Sequence, residues 1–225
     1  MVYSALLACL LPARCPGCGA RTARALCADC RAELREVTNP CRRCGLGLPV
    51  SECPRDAAYW HCASVLAPYA YVAPLQRYVR ALKFGGQRNT GRLLGELLLE
   101  HVLSTRAAEE VDVLVAVPLH RRRLIERGYN QAVEIARPLA ATLRLPLWIA
   151  GISRPRATAA QSQLDARQRR ANLHGAFAVS RAFDGLRVAL IDDVLTTGAT
   201  SNALALELLR AGATAVHAWA VARSL

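Results

Sequence analysis

The segment VALIDDVLTTGAT, residues 188–200, carries two adjacent carboxylates, Asp192 and Asp193, to the end of an apolar run that reads as a buried strand. Neighbouring carboxylates repel, and apolar surroundings penalise their charge unless a partner answers it. In open parallel sheets, ligands sit outside the carboxyl ends of the strands. The residues that follow would open a helix, whose first turn offers free N–H groups and a partial positive charge. There Gly198 permits close approach and the hydroxyls of Thr196, Thr197 and Thr200 add donors, with Ala199 between them, so the segment reads as a phosphate cradle. Carboxylates for hydroxyls beside amides for a phosphate is the combination that a ribose 5-phosphate requires. The plainer reading has Asp193 capping the helix and Asp192 solvated.

The cysteines are the second set of residues with chemistry. All nine fall within residues 9–62, and eight of them follow Pro12 as CPGCG, CADC, CRRCG, then Cys53 and Cys62. A CxxC pair turns the chain so that two thiolates reach one metal, and a glycine after the second cysteine suits the tight knuckle. The simplest partition gives Cys15, Cys18, Cys27 and Cys30 to one tetrahedral Zn2+. A second Zn2+ would take Cys41, Cys44 and Cys53, with its fourth ligand open among Asp56, His61 and Cys62. Interleaved pairings are also compatible with the spacing. Four protein ligands leave no position for a reacting water, so these metals are expected to be structural, holding up a module too small for its own core.

Elements must position both sets. The metal module is expected to end near residues 63–68, giving an N-terminal helix and zinc-ribbon module over residues 1–66 and a second domain over 67–225. YAYVAPLQRYVRALKF (69–84) reads as a short strand and an amphipathic helix broken at Gly85-Gly86. GRLLGELLLEHVL (91–103) predicts a helix, VDVLVAVP (111–118) a buried strand, and YNQAVEIARPLAATLR (129–144) a helix despite Pro138. LWIAGISR (147–154) predicts a strand, followed by a polar, arginine-rich stretch over 158–175. RVALIDDV is a strand, TSNALALELLRAG a helix closed by Gly212, and AVHAWAVAR a last strand. Strands alternating with helices predict an α/β fold, a parallel sheet with helices on its faces.

Composition narrows the field. A chain of 225 residues that is 53% hydrophobic can bury a real core and is not a disordered protein. Its net charge is +12, and Lys83 is the only lysine, so the basic charge is almost all arginine. Two readings stand: the Ala-, Leu- and Arg-rich usage of GC-rich coding, or a polyanionic partner whose phosphates match guanidinium forks. The start, MVYSALLACLL, has no basic flank and is too short to span a bilayer. A short amphipathic helix suits it better than the faint lipoprotein box at Leu6-Leu7-Ala8-Cys9. With no later apolar run long enough for a membrane, a soluble, cytoplasmic protein is expected.

With these residues in view, the chain resembles the ComF/GntX family. VALIDDVLTTGAT is similar to the PRPP-binding loop of type I phosphoribosyltransferases. The resemblance extends through the cysteine module, YVRALKFGG (78–86), VPLHRRRLIERGYNQA (117–132), and Gln161 with RRANLHGAF (169–177). It departs at Cys53-Pro54-Arg55-Asp56, where the family usually has a fourth CxxC. The resemblance implies a type I phosphoribosyltransferase fold after a double zinc ribbon. It implies that Asp192 and Asp193 hold the ribose hydroxyls and that Thr196, Thr197, Gly198, Ala199 and Thr200 wrap the 5-phosphate. Pro118, Leu119, His120 and Arg121 match the pyrophosphate loop, and Mg2+ would be held mainly by substrate oxygens. Lys83 is either an ordinary surface lysine or reaches the site from a hood. His120 is open as scaffold, phosphate contact or proton carrier. Arg167, Arg169 and Arg170 form either a basic rim or a solvated face. Three functions follow: a Mg-dependent phosphoribosyltransferase with a nitrogen acceptor, a single-stranded-DNA-binding protein of competence and DNA uptake, or a PRPP sensor without turnover. A helicase-like DNA-import protein is the partner that the family association implies.

Overall fold

The structure is a computed structural model and describes residues 14–47, 53, 60–155 and 175–225. The N-terminal apolar stretch with Cys9, Asp56, Gln161 and the arginines at 167, 169 and 170 lie outside the described residues. In chain order the elements are α1 (Ala28–Ala32), β1 (Ser64–Leu66), β2 (Tyr69–Ala70), α2 (Leu75–Phe84) and α3 (Asn89–Ser104). Next come β3 (Val113–Ala116), α4 (Arg121–Arg127), α5 (Gln131–Leu143), β4 (Leu147–Trp148), β5 (Ile152–Ser153) and β6 (Ala178–Val179). Then follow β7 (Arg187–Leu195), α6 (Ala199–Arg210) and β8 (Ala215–Arg223).

Five strands run β1-β8-β7-β3-β4 across one sheet, β2 also pairs with β8, and every pairing in it is parallel. Parallel strands need crossovers, and the intervening helices cover both faces, which is why β7 and β8 read as nearly continuous apolar runs. Their residues still alternate. Ala189, Ile191, Trp219 and Val221 face a core built with Leu94, Leu98, Ile135 and Leu139 of α3 and α5. Val188, Leu190, Val216 and Ala218 face the opposite core with Leu204 and Leu208 of α6. This is the expected α/β architecture, a parallel sheet flanked by helices, with the cysteine module ahead of it.

The structure departs from the sequence-based expectation in three places. The predicted strand at 147–154 is two short strands, because Gly151 turns at φ +82° and sends β5 out of the main sheet to pair antiparallel with β6. Residues 64–66, at the edge of the cysteine module, form β1 and extend the main sheet against β8. The strand bearing Asp192 and Asp193 ends at Leu195, one residue beyond the predicted RVALIDDV. Among the described residues, no helix is long and apolar enough to cross a membrane.

Candidate functional site

A cavity of about 280 Å³ opens at the carboxyl ends of β3 and β7. Asp192 and Asp193 line it, as do Thr196, Gly198, Ala199 and Thr200 of the following loop and helix start. Gly198 is the N-cap of the twelve-residue α6, at φ +74°, a conformation that favours glycine. A Cβ there would also sit 2.4 Å from the ring of Trp60. Thr197 does not line the cavity; its hydroxyl instead accepts the Ala199 N–H at 3.3 Å and shapes the turn into the helix. The first turn of α6 carries no acidic residue.

From the loop after β3, Pro118 and Leu119 line the cavity, while His120 and Arg121 do not. His120 is the N-cap of α4, its Nδ1 accepting the Arg122 N–H at 3.3 Å. Of its three readings, the geometry supplies scaffolding. Arg121 begins that helix, and the arginine of the segment that lines the cavity is Arg123.

The carboxylate pair is resolved by its neighbours. Lys83, in the last turn of α2, forms an ion pair with Asp193 Oδ2. Gln131, the first residue of α5, donates to Asp193 Oδ1 at 3.5 Å. Asp193 is buried at 2% exposure, whereas Asp192 is half-buried and accepts the Asp193 N–H at 2.8 Å. Burial, and then the charge of Asp193, push the Asp192 carboxyl well above the usual carboxylate range. Burial would raise Asp193 too, but the Lys83 ammonium outweighs it and holds Asp193 below that range. Burial works against the Lys83 charge as well, and Asp193 more than offsets it. The two aspartates are therefore unlike: Asp193 is the buried partner of Lys83, and Asp192 is the half-buried carboxyl beside it, raised by burial and by its neighbour.

Two further cations line the cavity, one inside the quoted VPLHRRRLIERGYNQA motif and one that no motif announced. Arg123 and Arg154 both line it, Arg154 with its guanidinium 5.4 Å from the centroid of the Phe177 ring. Burial, and then the neighbouring Arg123, lower the Arg154 guanidinium, so an anion entering here would meet two cations that repel each other. Arg154 arrives through the Gly151 turn, which no local pattern announces. The cavity thus offers a helix N-terminus, a carboxylate facing in, and cations from three separate elements.

The cysteines form two clusters. The sulfurs of Cys15, Cys18, Cys27 and Cys30 all lie within 4.8 Å of one another, with Cys18 and Cys27 3.6 Å apart. Four sulfurs about 2.3 Å from a tetrahedral zinc stand roughly 3.8 Å apart, so this cluster fits the metal. Burial raises the Cys15 thiol, but N–H donors from Cys27, Cys18 and Gly17 outweigh it and bring it down to about 6, whereas the neighbouring Cys18 sulfur pushes the Cys30 thiol up. Cys41, Cys44 and Cys53 make the second cluster. Both knuckles fold alike: Gly19 and Gly45 have positive φ, and Cys15 N–H to Ala20 O and Cys41 N–H to Leu46 O are both 2.8 Å. Neither His61 nor Cys62 brings a ligand atom into the second group. Cys62 is a core thiol that burial pushes up to about 12. The cysteine clusters fit structural zinc.

A family model described as a double zinc ribbon domain matches residues 6–63. The chain is 36% identical over 208 residues to the DNA utilization protein YhgH of Salmonella typhi, covering 89% of this chain and 91% of that protein. It is 31% identical over 210 residues to competence protein F of Haemophilus influenzae, covering 88% and 90% respectively. It is 27% identical over 209 residues to competence protein ComFC of Bacillus subtilis, covering 88% and 84%. Among solved structures, a purine phosphoribosyltransferase from Pyrococcus horikoshii aligns at a TM-score of 0.37 and 16% identity, over 58% of this chain and 72% of that one. With relatives above 30% identity along nearly its whole length, the chain belongs to the ComF family, that of YhgH and competence protein F.

Proposed function

We propose that the cavity binds PRPP and that the protein is a magnesium-dependent phosphoribosyltransferase serving competence or the use of imported DNA, with a helicase-like import protein as partner. The observation that carries this reading is the placement of Asp192 at the mouth of a Gly198-capped helix, in one cavity with Lys83, Arg123 and Arg154. The free N–H groups of α6 and the hydroxyls of Thr196 and Thr200 would take the 5-phosphate. Asp192 would meet the ribose hydroxyls, with Asp193 held behind it by Lys83 and Gln131. Arg123 and Arg154 would face the diphosphate. In the reaction the C1–oxygen bond breaks and its electron pair leaves on diphosphate, while the lone pair of an acceptor nitrogen forms the new C1–nitrogen bond. Preorganised cations favour the first change and carboxylates the oxocarbenium-like ribose. The donor set fits Mg2+ carried on substrate oxygens, with one inward carboxylate at most from the chain, and the ion would supply charge neutralisation to the leaving group.

Calorimetric titration with PRPP, with and without magnesium, tests the reading. The expected result is magnesium-dependent binding that Asp192→Asn weakens about tenfold or more. Release of diphosphate on adding a nucleobase or amine would distinguish a transferase from a sensor. Absence of binding by folded, zinc-loaded protein overturns the reading.

A second surface favours a nucleic-acid role alongside it. A groove of about 870 Å³ between the first cysteine knuckle and the start of α3 is lined by Arg14, Arg24, Arg88 and Arg92. Such a channel would suit the phosphates of single-stranded DNA.

A further inference from the structure

Arg223, the last residue of β8, is buried at 2% exposure yet carries a full charge. Its Nε donates to the carbonyl of Cys44, in the second cysteine knuckle, at 2.9 Å. Its Nη1 faces three carbonyls, those of Leu195 at 2.9 Å, Thr196, and Ser224 at 2.6 Å, and the Leu195 carbonyl also accepts the Ser224 N–H at 2.9 Å. One planar guanidinium therefore joins a residue of the second metal cluster to the loop that opens α6. A trans peptide points its C=O and N–H in opposite directions. Holding the carbonyls of Leu195 and Thr196 on Arg223 thus turns the N–H groups of Thr196 and Thr197 the other way.

The chain just before β1 also touches the start of α6. Eight residues after Cys53, the His61 N–H donates to the Asn202 side chain in the first turn of α6, at 2.6 Å. The ring of the preceding residue, Trp60, lies against Gly198. The knuckle glycine is packed on the strut itself: a Cβ at Gly45 would stand 2.8 Å from Val65 Cγ1 and 3.4 Å from Arg223 Cδ. The first cluster is anchored elsewhere, through the Arg31–Glu100 ion pair on α3 and the packing of Gly17 against Tyr78 of α2.

We propose that Arg223 is a positioning residue through which metal in the Cys41–Cys44–Cys53 cluster sets the geometry of the phosphate-binding loop. Loading that cluster fixes the Cys44 carbonyl, which fixes the guanidinium, which fixes the loop carbonyls and so aims its amides. Among the described residues, the first cluster makes its hydrogen bonds and packing to α2 and α3, not to the loop. For its effect on ligand affinity this inference rests on the reading of the α6 start as a phosphate site.

The test uses the full-length protein and two readouts, hydrogen–deuterium exchange of the amides at 195–200 and affinity for ribose 5-phosphate. Cys53→Ser, which opens the second cluster, is expected to speed exchange in the loop and to weaken ribose 5-phosphate about tenfold or more. Cys18→Ser, at the first cluster, is expected to leave loop exchange unchanged. Arg223→Lys keeps the charge but cannot span both carbonyl sets; it is expected to match Cys53→Ser and to add nothing when combined with it. Loop exchange equal to wild type in Cys53→Ser, or equally faster in both cysteine variants, overturns the strut. If wild type fails to bind ribose 5-phosphate while loop exchange still follows the second cluster alone, the strut stands and the phosphate reading falls.

Discussion

Two adjacent aspartates do different work because one lysine reaches one of them. Asp193 is held below the ordinary carboxylate range, so its pairing with Lys83 adds stability at neutral pH and loses it as acid protonates the carboxylate, below about pH 4. Asp192 is raised, so its sign is opposite. The fold favours its protonated form, a contribution complete below about pH 4 and lost as pH climbs through the raised value. Asparagine keeps the shape of aspartate and removes its charge, so the two substitutions should separate. Asp192→Asn is expected to fold with unchanged or higher stability at pH 7. Asp193→Asn leaves Lys83 without its anion and is expected to cost about 3 kcal/mol. Lys83→Met should cost a similar amount, and the Lys83→Met/Asp193→Asn pair clearly less than the sum, since both charges are then gone. Urea unfolding at pH 7 reads all four; equal costs for the two aspartates would contradict the assignment.

At the scale of elements, the site depends on how closely α3 and α5 cross. A Cβ at Gly95 would lie 2.3 Å from the Ile135 carbonyl oxygen and 2.4 Å from Pro138 Cγ; at Gly91 it would lie 2.5 Å from Glu134 Cβ. Backbone cannot yield as a side-chain tip can, so Gly95→Ala must push the helices apart, at an expected cost of about 2 kcal/mol. Because α5 begins at Gln131, which reaches Asp193, ligand affinity should fall with stability, and thermal melts beside titrations check both. The sequence made the helices legible through their apolar spacing, and even placed α5 across Pro138, but not their contact. The same division runs through the site. The cysteine pairs, the Asp192-Asp193 doublet and the Gly198 turn are local patterns, and reading them requires only neighbours in the chain. Lys83, Gln131, Arg154 and Arg223 act across separations that only the folded sheet closes. The lone lysine before Gly85-Gly86 was a signal without an address. Arg154 had none, since its place follows from the Gly151 turn that splits an apparently continuous strand.

At the scale of the whole molecule the net charge of +12 needs a partner or a compositional cause, and the arginine groove separates the two. Coding bias scatters arginines; phosphate recognition gathers them. Arg14 and Arg24 come from the first knuckle region and Arg88 and Arg92 from the start of α3, elements far apart in the chain that meet on one groove. Two of the four are already paired with carboxylates, Arg88 with Glu134 and Arg92 with Glu96, each at 2.7 Å, whereas, among the described residues, Arg14 donates only to the Gly19 carbonyl, at 3.1 Å, and keeps its charge unneutralised. The remaining two should therefore dominate a polyanion contact. Each phosphate contact on a single strand contributes about −0.7 to the slope of log affinity against log salt. A groove using all four arginines would give a slope near −3, and Arg14→Ala or Arg24→Ala should each reduce it by about 0.7, uniformly across base sequences. Arg92→Ala should also weaken binding, because removing that guanidinium frees Glu96 in the groove lining to repel the strand. Fluorescence anisotropy with a short oligothymidine at several salt concentrations measures these slopes. A slope that ignores Arg14 and Arg24 places any DNA contact elsewhere on the protein, and no binding even at low salt assigns the arginine excess to composition.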